Sequence, residues 1–176
     1  MKPGMLSMVM VIAVVVEAMV AVAALVLSLI TFCRPGPPST DPMRELIAME
    51  ATAALQGDVD KAVDLYAPNA VVRDGRGEIG KALGIVPSHV QSTWSGLDEI
   101  RDRYTHLERF NELQHVDVTV TFEQGGQVAR AVGSTSGEMV NADGTTTPIS
   151  SIDGEMWTFQ KIDGAWKIIS FTYNAR

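Results

Sequence analysis

The chain has 176 residues, a formal net charge of −7 and a single cysteine, Cys33. This length suits one domain plus an appendage, and an acidic composition argues against a nucleic-acid partner. One cysteine excludes an intramolecular disulfide and a cysteine-based metal cluster. The histidines at His89, His106 and His115 lack the spacing of metal ligands, so we expect neither a metal nor another cofactor.

Residues 5–33 are predicted to form a transmembrane helix that follows a short flank, residues 1–4. Positions 5–32 are almost uninterrupted apolar sequence, longer than the about 20 residues that span a bilayer as a helix. A cleaved secretory signal is one alternative, and lipid attachment at Cys33 is another, although Phe32 is bulkier than lipid-attachment signals prefer. The short flank favours a single pass through the cell (inner) membrane with the domain on the periplasmic side.

Glu17 lies within this apolar run, where a carboxyl group is costly and indicates a partner or a function. Small residues that lie on the same stripe of the helix would let a second helix approach closely. The predicted transmembrane partner seam consists of Ala13, Glu17, Ala21, Ala24 and Ser28. We therefore expect the bilayer and an integral membrane protein as partners; the alternative is a protonated Glu17 that the anchor merely tolerates.

A Pro-rich linker, residues 34–42, is predicted to separate the span from one domain, residues 43–176. Closely spaced prolines give a stiff, extended spacer. The first helix of the domain is expected over residues 43–56, because Gly57 suits its C-terminal cap and Asp58 suits the N-terminal cap of a second helix. The domain therefore begins with two consecutive helices.

The second helix is predicted to continue past Tyr66 until Pro68 ends it, which places Tyr66 on a helical face. A short strand follows at residues 70–73. Glycines interrupt residues 76–96, which form either a flap over a pocket or a packed excursion. A third helix is indicated by an apolar pattern of helical period at Leu97, Ile100, Tyr104 and Leu107.

Alternating apolar residues from 116 to 122 predict a half-buried strand. Glycine-containing turns at 125–126 and 141–144 then lead through further strands. The pair Asp163-Gly164 between two β-rich runs is a strong hairpin signal. These segments predict a four-stranded antiparallel meander with the helices on one face, which is an α+β fold.

Pairing of Ile162 with Ala165 in this hairpin would decide which side chains share a face of the sheet. One face, together with aromatic residues of the helical half, is expected to line a ligand cavity: Tyr66, Tyr104, Trp94, Trp157, Phe159, Trp166 and Ile168. The other face is half apolar and is expected to form a domain interface: Met156, Ile169, Phe171 and Tyr173.

This order of elements and three stretches of sequence resemble the nuclear transport factor 2-like superfamily, in particular its SnoaL-like and ketosteroid-isomerase-like domains. The stretches are residues 57–72 (GDVDKAVDLYAPNAVV), 96–104 (GLDEIRDRY) and 163–168 (DGAWKI). The resemblance implies a cone-shaped, curved antiparallel sheet packed on about three helices. It implies no particular activity, because this fold hosts enzymes, binders and scaffolds.

Enzymes of that superfamily use a carboxylate or a histidine inside the cone, and the candidate catalytic residues here are carboxylates. Asp153 and Glu155 fall on the same strand face as Trp157, where burial would raise the pKa of a carboxyl group and let it move protons. Asp74, at the end of the first strand, is a third candidate, as a base oriented by Arg73. The alternatives are solvated carboxylates at a strand start and an ion pair at the rim.

Two functions of different classes remain open. The first is a single-pass membrane-anchored, non-catalytic accessory or assembly subunit of a membrane protein complex in bioenergetics, secretion or transport. The Glu17 seam and the mixed sheet face favour it, because both suit partners, and the sheet face also suits a homodimer. The second is a membrane-tethered SnoaL-like isomerase, cyclase or binder of a small hydrophobic ligand, which requires an apolar cavity that contains a carboxylate.

Overall fold

The computed structural model describes residues 39–149 and 154–175, apart from the side chain of Gln124. The predicted flank, transmembrane helix and most of the linker lie outside the described residues, and so does the candidate Asp153. The same is true of the predicted helix seam at Ala13, Glu17, Ala21, Ala24 and Ser28. Within the described ranges, no helix is long and apolar enough to cross a membrane.

The first half of the described chain contains its α-helices and two strands, and the second half consists mainly of strands. Its helices are α1 (Asp41–Gln56), α2 (Val59–Asp64), α3 (Gly75–Ala82) and α4 (Gly96–Thr105). Its strands are β1 (Tyr66–Asp74), β2 (Thr93–Ser95), β3 (Arg109–Glu123), β4 (Val128–Val140), β5 (Thr146–Ile149), β6 (Glu155–Ile162) and β7 (Ala165–Tyr173), with a 3₁₀ turn at Gln124–Gly126.

The strands form one curved sheet in the order β2-β1-β7-β6-β4-β3, and β5 pairs with β4 beside that path. Every pairing is antiparallel except that of β1 with β7, whose strands run in the same direction. The predicted α+β class is confirmed. The expectation of a purely antiparallel sheet is wrong, because the strand that leaves the helical half pairs with the last strand of the meander.

The first helix begins and ends close to where its capping residues predicted. Gly57 adopts the left-handed conformation (φ 65°) after α1, which a residue without a Cβ atom adopts without steric cost. The Asp58 side chain accepts a hydrogen bond from the backbone N–H of Lys61 and so caps α2. Met43 and Ile47 on α1 are buried against the sheet's core cluster.

Tyr66 begins a strand, so its predicted place on a helix is wrong. α2 ends at Asp64, and β1 pairs with β7 from Tyr66 onward, with a register shift between Tyr66 and Val71. Pro68 lies in that interval and has no N–H to donate to a neighbouring strand. It therefore interrupts a strand here instead of ending a helix.

The C-terminal hairpin has the predicted turn but not the predicted faces. Ile162 pairs with Ala165, as expected. Further along, Phe159 pairs with Ile168 and Thr158 pairs with Ser170, so Ile169 is an extra residue on β7. Such a bulge reverses the alternation of side chains beyond it.

Phe171 and Tyr173 therefore do not share the outer face with Met156, and their predicted place on that face is corrected. Phe171 pairs with Trp157, and the two rings stack with centroids 5.2 Å apart. Trp157, Phe159 and Ile168 lie together in the buried cluster. Burying each large apolar side chain stabilises the fold by about 1.5–3 kcal/mol, so this face of the hairpin anchors the domain.

Candidate functional site

A cavity of about 640 Å³ lies between α1, α4 and the inner face of the sheet. Its volume falls in the range of small-molecule sites, roughly 300–1,000 Å³. Apolar side chains such as Leu113, Met139 and Phe171 line it, together with polar and charged side chains that include several carboxylates. That mixture suits a small, largely apolar molecule held by a few oriented polar contacts.

His115 is the centre of the polar groups in the cavity wall, where it lies between two carboxylates. Its Nε2 atom is 3.4 Å from Oε2 of Glu50, and its Nδ1 atom is 2.7 Å from Oε2 of Glu155. The hydroxyl of Thr135 lies 3.1 Å from the same Nδ1 atom. The imidazole packs edge-on against Trp157 at a centroid distance of 4.9 Å, so the ring has an aromatic contact as well as partners for both nitrogens.

Glu50 reaches this site because it occupies a core-facing position of α1. Residues spaced by three, four or seven share one face of a helix, and Glu50 follows the buried Ile47 by three positions and Met43 by seven. Its side chain is only 4% exposed. A carboxylate at that position needs partners, because an unpaired buried charge is strongly unfavourable.

Strand geometry brings His115 and Glu155 to the same face of the sheet. On β3 the pairing with β4 shifts between Val116 and Thr119, where Asp117 has a positive φ of 54°. This bulge turns His115 inward although Val118 and Val120 also face the core. Glu155 begins β6, pairs with Tyr173 and lines the cavity.

Two tyrosines extend the network away from the cavity into the core. The hydroxyl of Tyr104 donates a hydrogen bond to Oε1 of Glu50, and the hydroxyls of Tyr66 and Tyr104 are 3.0 Å apart. Both side chains are buried. Glu50 is thus held at one oxygen by Tyr104 and faces His115 with the other.

The two carboxylates keep His115 protonated. Burial lowers the pKa of His115, but the hydrogen bonds and charges of Glu155 and Glu50 outweigh burial and raise it to about 9. Burial likewise raises the pKa of Glu50, but the contacts with His115 and Tyr104 outweigh it, and the net pKa is lowered. At neutral pH the site therefore contains an imidazolium beside ionised Glu50.

Arg103 adds a second cation to the cavity wall. Its guanidinium lies 5.5 Å from the ring centroid of Trp94, 5.0 Å from that of Tyr104 and 4.8 Å from that of Tyr173. These distances are those of cation–π contacts. Its position on α4 brings it to the same cavity as His115.

Of the residues that the sequence predicted to line the cavity, one borders it and the others lie elsewhere in the domain. Trp94 lines the cavity and stacks on Tyr173, with centroids 6.5 Å apart. Trp166 is half-buried beside Phe122. The others are buried in the core beneath the cavity: Tyr66, Tyr104, Trp157, Phe159 and Ile168.

The candidate carboxylates differ in surroundings. Glu155 lies in the cavity wall with its side chain 12% exposed and pairs with His115. Asp74 also lines the cavity, and its Oδ1 atom accepts a hydrogen bond of 3.1 Å from Nδ2 of Asn174. Arg73 interacts with Ser170 instead, at 3.4 Å, so the structure does not bring Arg73 to Asp74 as its orienting partner.

Sequence reasoning missed Glu50, His115 and Arg103 as site residues. A signal for Glu50 was present, since a carboxylate stood at a core-facing position of an amphipathic helix. His115 was hidden by the bulge on β3, because extrapolating the alternation of Val116 and Val118 places it on the outer face. Across the described ranges, no cluster has the arrangement of metal ligands.

No protein-family model matches the sequence, and no curated protein matches it. Among solved structures, an NTF2-like protein with a cystatin-like fold from Novosphingobium aromaticivorans is 18% identical, with a TM-score of 0.56 over 75% of this chain and 78% of that one. A ketosteroid isomerase-like protein from Erwinia carotovora atroseptica is 17% identical, with a TM-score of 0.57 over 75% and 92%. A type 2 hexachlorocyclohexane dehydrochlorinase is 12% identical, with a TM-score of 0.56 over 75% and 81%.

These similarities concern the fold, since each identity is below one fifth. The described domain has the α+β fold of NTF2-like and ketosteroid isomerase-like proteins, as the resemblance of its sequence implied. The activity must be argued from the site itself.

Proposed function

We propose that this domain binds a small, largely apolar molecule in its cavity and transfers a proton on it, in a reaction of the isomerase, cyclase or lyase type. The observation that carries the proposal is the imidazole ring of His115 held between the carboxylates of Glu50 and Glu155 in the cavity wall. Adjacent groups that can take and give a proton are what such reactions require.

Glu155 and His115 have complementary roles in this proposal. The Glu155 carboxylate accepts a proton from a carbon of the substrate, and the electron pair of that C–H bond moves into the substrate. The Nδ1–H of His115 donates a proton at a second position or to a leaving group. Transfer of the proton from Glu155 to His115, across the 2.7 Å that separates Oε2 from Nδ1, then restores both groups.

Glu50 and Tyr104 act as positioning residues for His115. Glu50 faces Nε2 and keeps the ring charged, and Tyr104 holds Glu50 from the opposite side. The imidazole therefore presents Nδ1 toward Glu155 and the cavity. A preorganised arrangement of this kind avoids reorganisation during the reaction.

The names of two neighbours support this proposal. One is a ketosteroid isomerase-like protein and another is a dehydrochlorinase of hexachlorocyclohexane. Both share the fold of the described domain.

A nitrobenzisoxazole tests the proposal, because a base that removes the one C–H proton of its isoxazole ring breaks the N–O bond and converts the molecule to a coloured cyanophenolate. It is neutral, small and apolar enough for the cavity. We expect the full-length protein to catalyse this opening, and Glu155→Gln to lower kcat/KM by about 100-fold. The readout is absorbance of the product at neutral pH.

The control is Glu138→Gln, which removes an exposed carboxylate from β4. It should leave kcat/KM unchanged. Equal rates for wild type and Glu155→Gln, in protein that remains folded, would refute the role of Glu155 and with it the proposed reaction.

A second proposal concerns partners: residues 5–33 tether the domain to the inner membrane, and the chain associates there with an integral membrane protein. The apolar run and Glu17 support it, and so does an exposed apolar pair on the outer sheet face, Met156 (48% exposed) and Val132 (47%). Such a pair suits a protein partner or a second copy of the chain. Unchanged co-purification of partners with Glu17→Leu would count against the helix seam.

A further inference from the structure

We infer that residues 79–90, here called the apolar loop, form a membrane-docking surface that inserts among the lipids of a bilayer with anionic headgroups. This surface lies outside the His115 site and requires no reaction there. The inference therefore goes beyond the proposed proton transfer, and it shares with the proposed tether only the choice of a bilayer as partner.

The apolar loop carries the most exposed large apolar side chains of the described domain. Ile79, Leu83 and Ile85 are 53%, 69% and 75% exposed, and Val90 is exposed as well. Elsewhere in the described ranges, no large apolar side chain is more than 48% exposed. Single exposed apolar residues are ordinary, but a concentration of them marks a site that binds protein or membrane.

The backbone of the apolar loop holds these side chains outward in a defined conformation. After α3, Gly84 has a positive φ of 71°, and its N–H and that of Ile85 donate hydrogen bonds to carbonyl groups in the last turn of the helix. This pair of bonds is a Schellman motif. Val86 packs on the buried Gly80, where a Cβ atom would lie 2.5 Å from the Val86 side chain. Val86 therefore fastens the loop to the domain, while Leu83 and Ile85 remain outside.

The size of the segment decides how it would contact a membrane. α3 has eight residues, far fewer than the about 20 that cross a bilayer as a helix. Ile79 and Leu83 are four residues apart and share one face of the helical turn. A short segment of this kind lies in the interface of a bilayer, with its apolar side chains among the acyl chains and its polar groups among the headgroups.

The charge of the segment fits an anionic lipid surface. Residues 75–91 contain Arg76 and Lys81 against a single acid, Glu78, so the segment is net positive in a chain whose formal charge is −7. Basic side chains beside an apolar surface are attracted by anionic headgroups. Two copies of the chain that met through this surface would bring like charges together, which opposes association. The charge therefore favours lipid over a second copy as the occupant.

The length of the linker makes a bilayer accessible to the domain. If residues 5–33 span a membrane, as proposed above, residues 34–42 connect that span to the domain and extend to at most about 30 Å. A short tether keeps the local concentration of lipid high, so that weak insertion by a few aliphatic side chains suffices for docking.

The apolar loop lies next to the rim of the cavity. Asp74, directly before α3, and Gln91, directly after the loop, both line the cavity. A bilayer that held the loop would therefore lie beside the cavity, and a lipid-soluble substrate would enter from it. This route for the substrate rests on the proposed function, whereas the docking itself does not.

Quenching of a fluorophore on the loop by spin-labelled lipid tests the contact. Ser88→Cys, in a Cys33→Ser background, places a single nitrobenzoxadiazole label on an exposed position of the loop and retains all of its apolar side chains. The full-length protein is reconstituted into vesicles of phosphatidylcholine and phosphatidylglycerol, with or without doxyl groups on the acyl chains. We expect doxyl lipid to lower the fluorescence about twofold, and to lower it less in vesicles of phosphatidylcholine alone.

The matched position for the label is Ala165→Cys, at the opposite end of the sheet. β7 begins at the exposed Ala165 and ends at Tyr173, which pairs with Asp74 beside the cavity. A label at residue 165 should therefore be quenched little by doxyl lipid in the same vesicles.

Two double variants test whether the exposed aliphatic side chains cause the insertion. Leu83→Ser with Ile85→Ser should remove most of the quenching at residue 88, because the inserted apolar surface is lost. Val132→Ser with Met156→Ser removes two exposed apolar side chains from the outer sheet face instead, and should leave the quenching unchanged. Near-UV circular dichroism checks that both variants remain folded.

The outcomes separate this inference from the proposed function. Equal quenching at residues 88 and 165 would refute docking, and the proposed function would still stand if Glu155 opened the nitrobenzisoxazole. A blue-shifted label at residue 88 that doxyl lipid does not quench would show that protein covers the loop, which also refutes docking. If the full-length protein does not float with the vesicles, both the tether and the docking are refuted. Strong quenching at residue 88 without ring opening would support docking and refute the proposed reaction.

Discussion

At the scale of single residues, the site depends on His115 being buried as a cation. An isolated imidazolium with a side chain 4% exposed would lose its proton, because burial disfavours charge. Glu50 and Glu155 reverse that preference through contacts at 3.4 Å and 2.7 Å. The same contacts that stabilise the charge therefore make the stability of the domain depend on pH.

The pKa of His115 predicts a loss of stability in mildly alkaline solution. Its pKa is about 9 in the folded protein and roughly 6.5 in an unfolded chain. A raised pKa gives stability that is complete below the unfolded value and is lost as pH rises through the folded value. We expect the free energy of unfolding to fall by on the order of 3 kcal/mol across this interval, measured by denaturant titration at several pH values.

Because His115→Asn also changes the stability itself, the quantity to compare between variants is the slope of the free energy of unfolding against pH. His115→Asn should remove most of the decline between pH 6.5 and 9 that the two pKa values predict. His106→Asn should preserve it, because the His106 side chain is 73% exposed. An equally steep decline in His115→Asn would show that another group is responsible.

At the scale of elements, two bulges decide which side chains reach the cavity. The irregularity at Asp117 on β3 turns His115 inward, and the extra Ile169 on β7 turns Phe171 and Tyr173 inward. Without these two bulges, the regular alternation of side chains along a strand would place all three side chains on the outer face. The cavity exists in this form because the alternation is broken twice.

Removing the bulge on β7 tests this account. Deletion of Ile169 would restore regular pairing and expose Phe171, with a loss comparable to that of truncating a buried Phe, about 3–5 kcal/mol. Ile169→Ala keeps the number of residues and the register, and Ile169 is only partly buried, so this change should lower the free energy of unfolding by about 2 kcal/mol or less. The measurements are denaturant midpoints and the near-UV circular dichroism of the stacked Trp157. If the deletion costs no more than Ile169→Ala, the register argument fails.

Local signals predicted helix caps and the hairpin turn well, and they predicted the faces of the strands poorly. The cap at Gly57, the cap at Asp58 and the pairing of Ile162 with Ala165 follow from residues adjacent in sequence, and the structure confirms all three. The bulges and the parallel pairing of β1 with β7 depend on strands that are distant in sequence. No local pattern encodes them, so the two inward-facing residues of β7 were assigned to the wrong face.

Candidate site residues were predictable to the extent that they sat in regular structure. Glu155 begins a regular stretch of β6, and its inward face followed from that of Trp157. Glu50 could have been found by treating a carboxylate on a buried helical face as an anomaly that requires a partner. That partner, His115, lies 65 residues away on another element, and only the fold brings them together.

At the scale of the whole domain, helices and sheet enclose two layers of different character. The apolar cluster around Phe159 and Ile168 supplies the stability. Above it lies a polar layer of His115, Glu50 and Glu155 that faces the cavity. A fixed polar group on a rigid apolar support is the condition under which a site can hold an unusual protonation state.

A titration of the histidine imidazoles by NMR tests that protonation state most directly. The chain contains three histidines, so specific labelling of full-length protein gives a small set of resonances, and His115→Asn identifies the one of interest. We expect this resonance to titrate with a pKa of about 9. Titration of His115 at or below the ordinary value of roughly 6.5 would contradict the buried imidazolium and the proton-transfer site built on it.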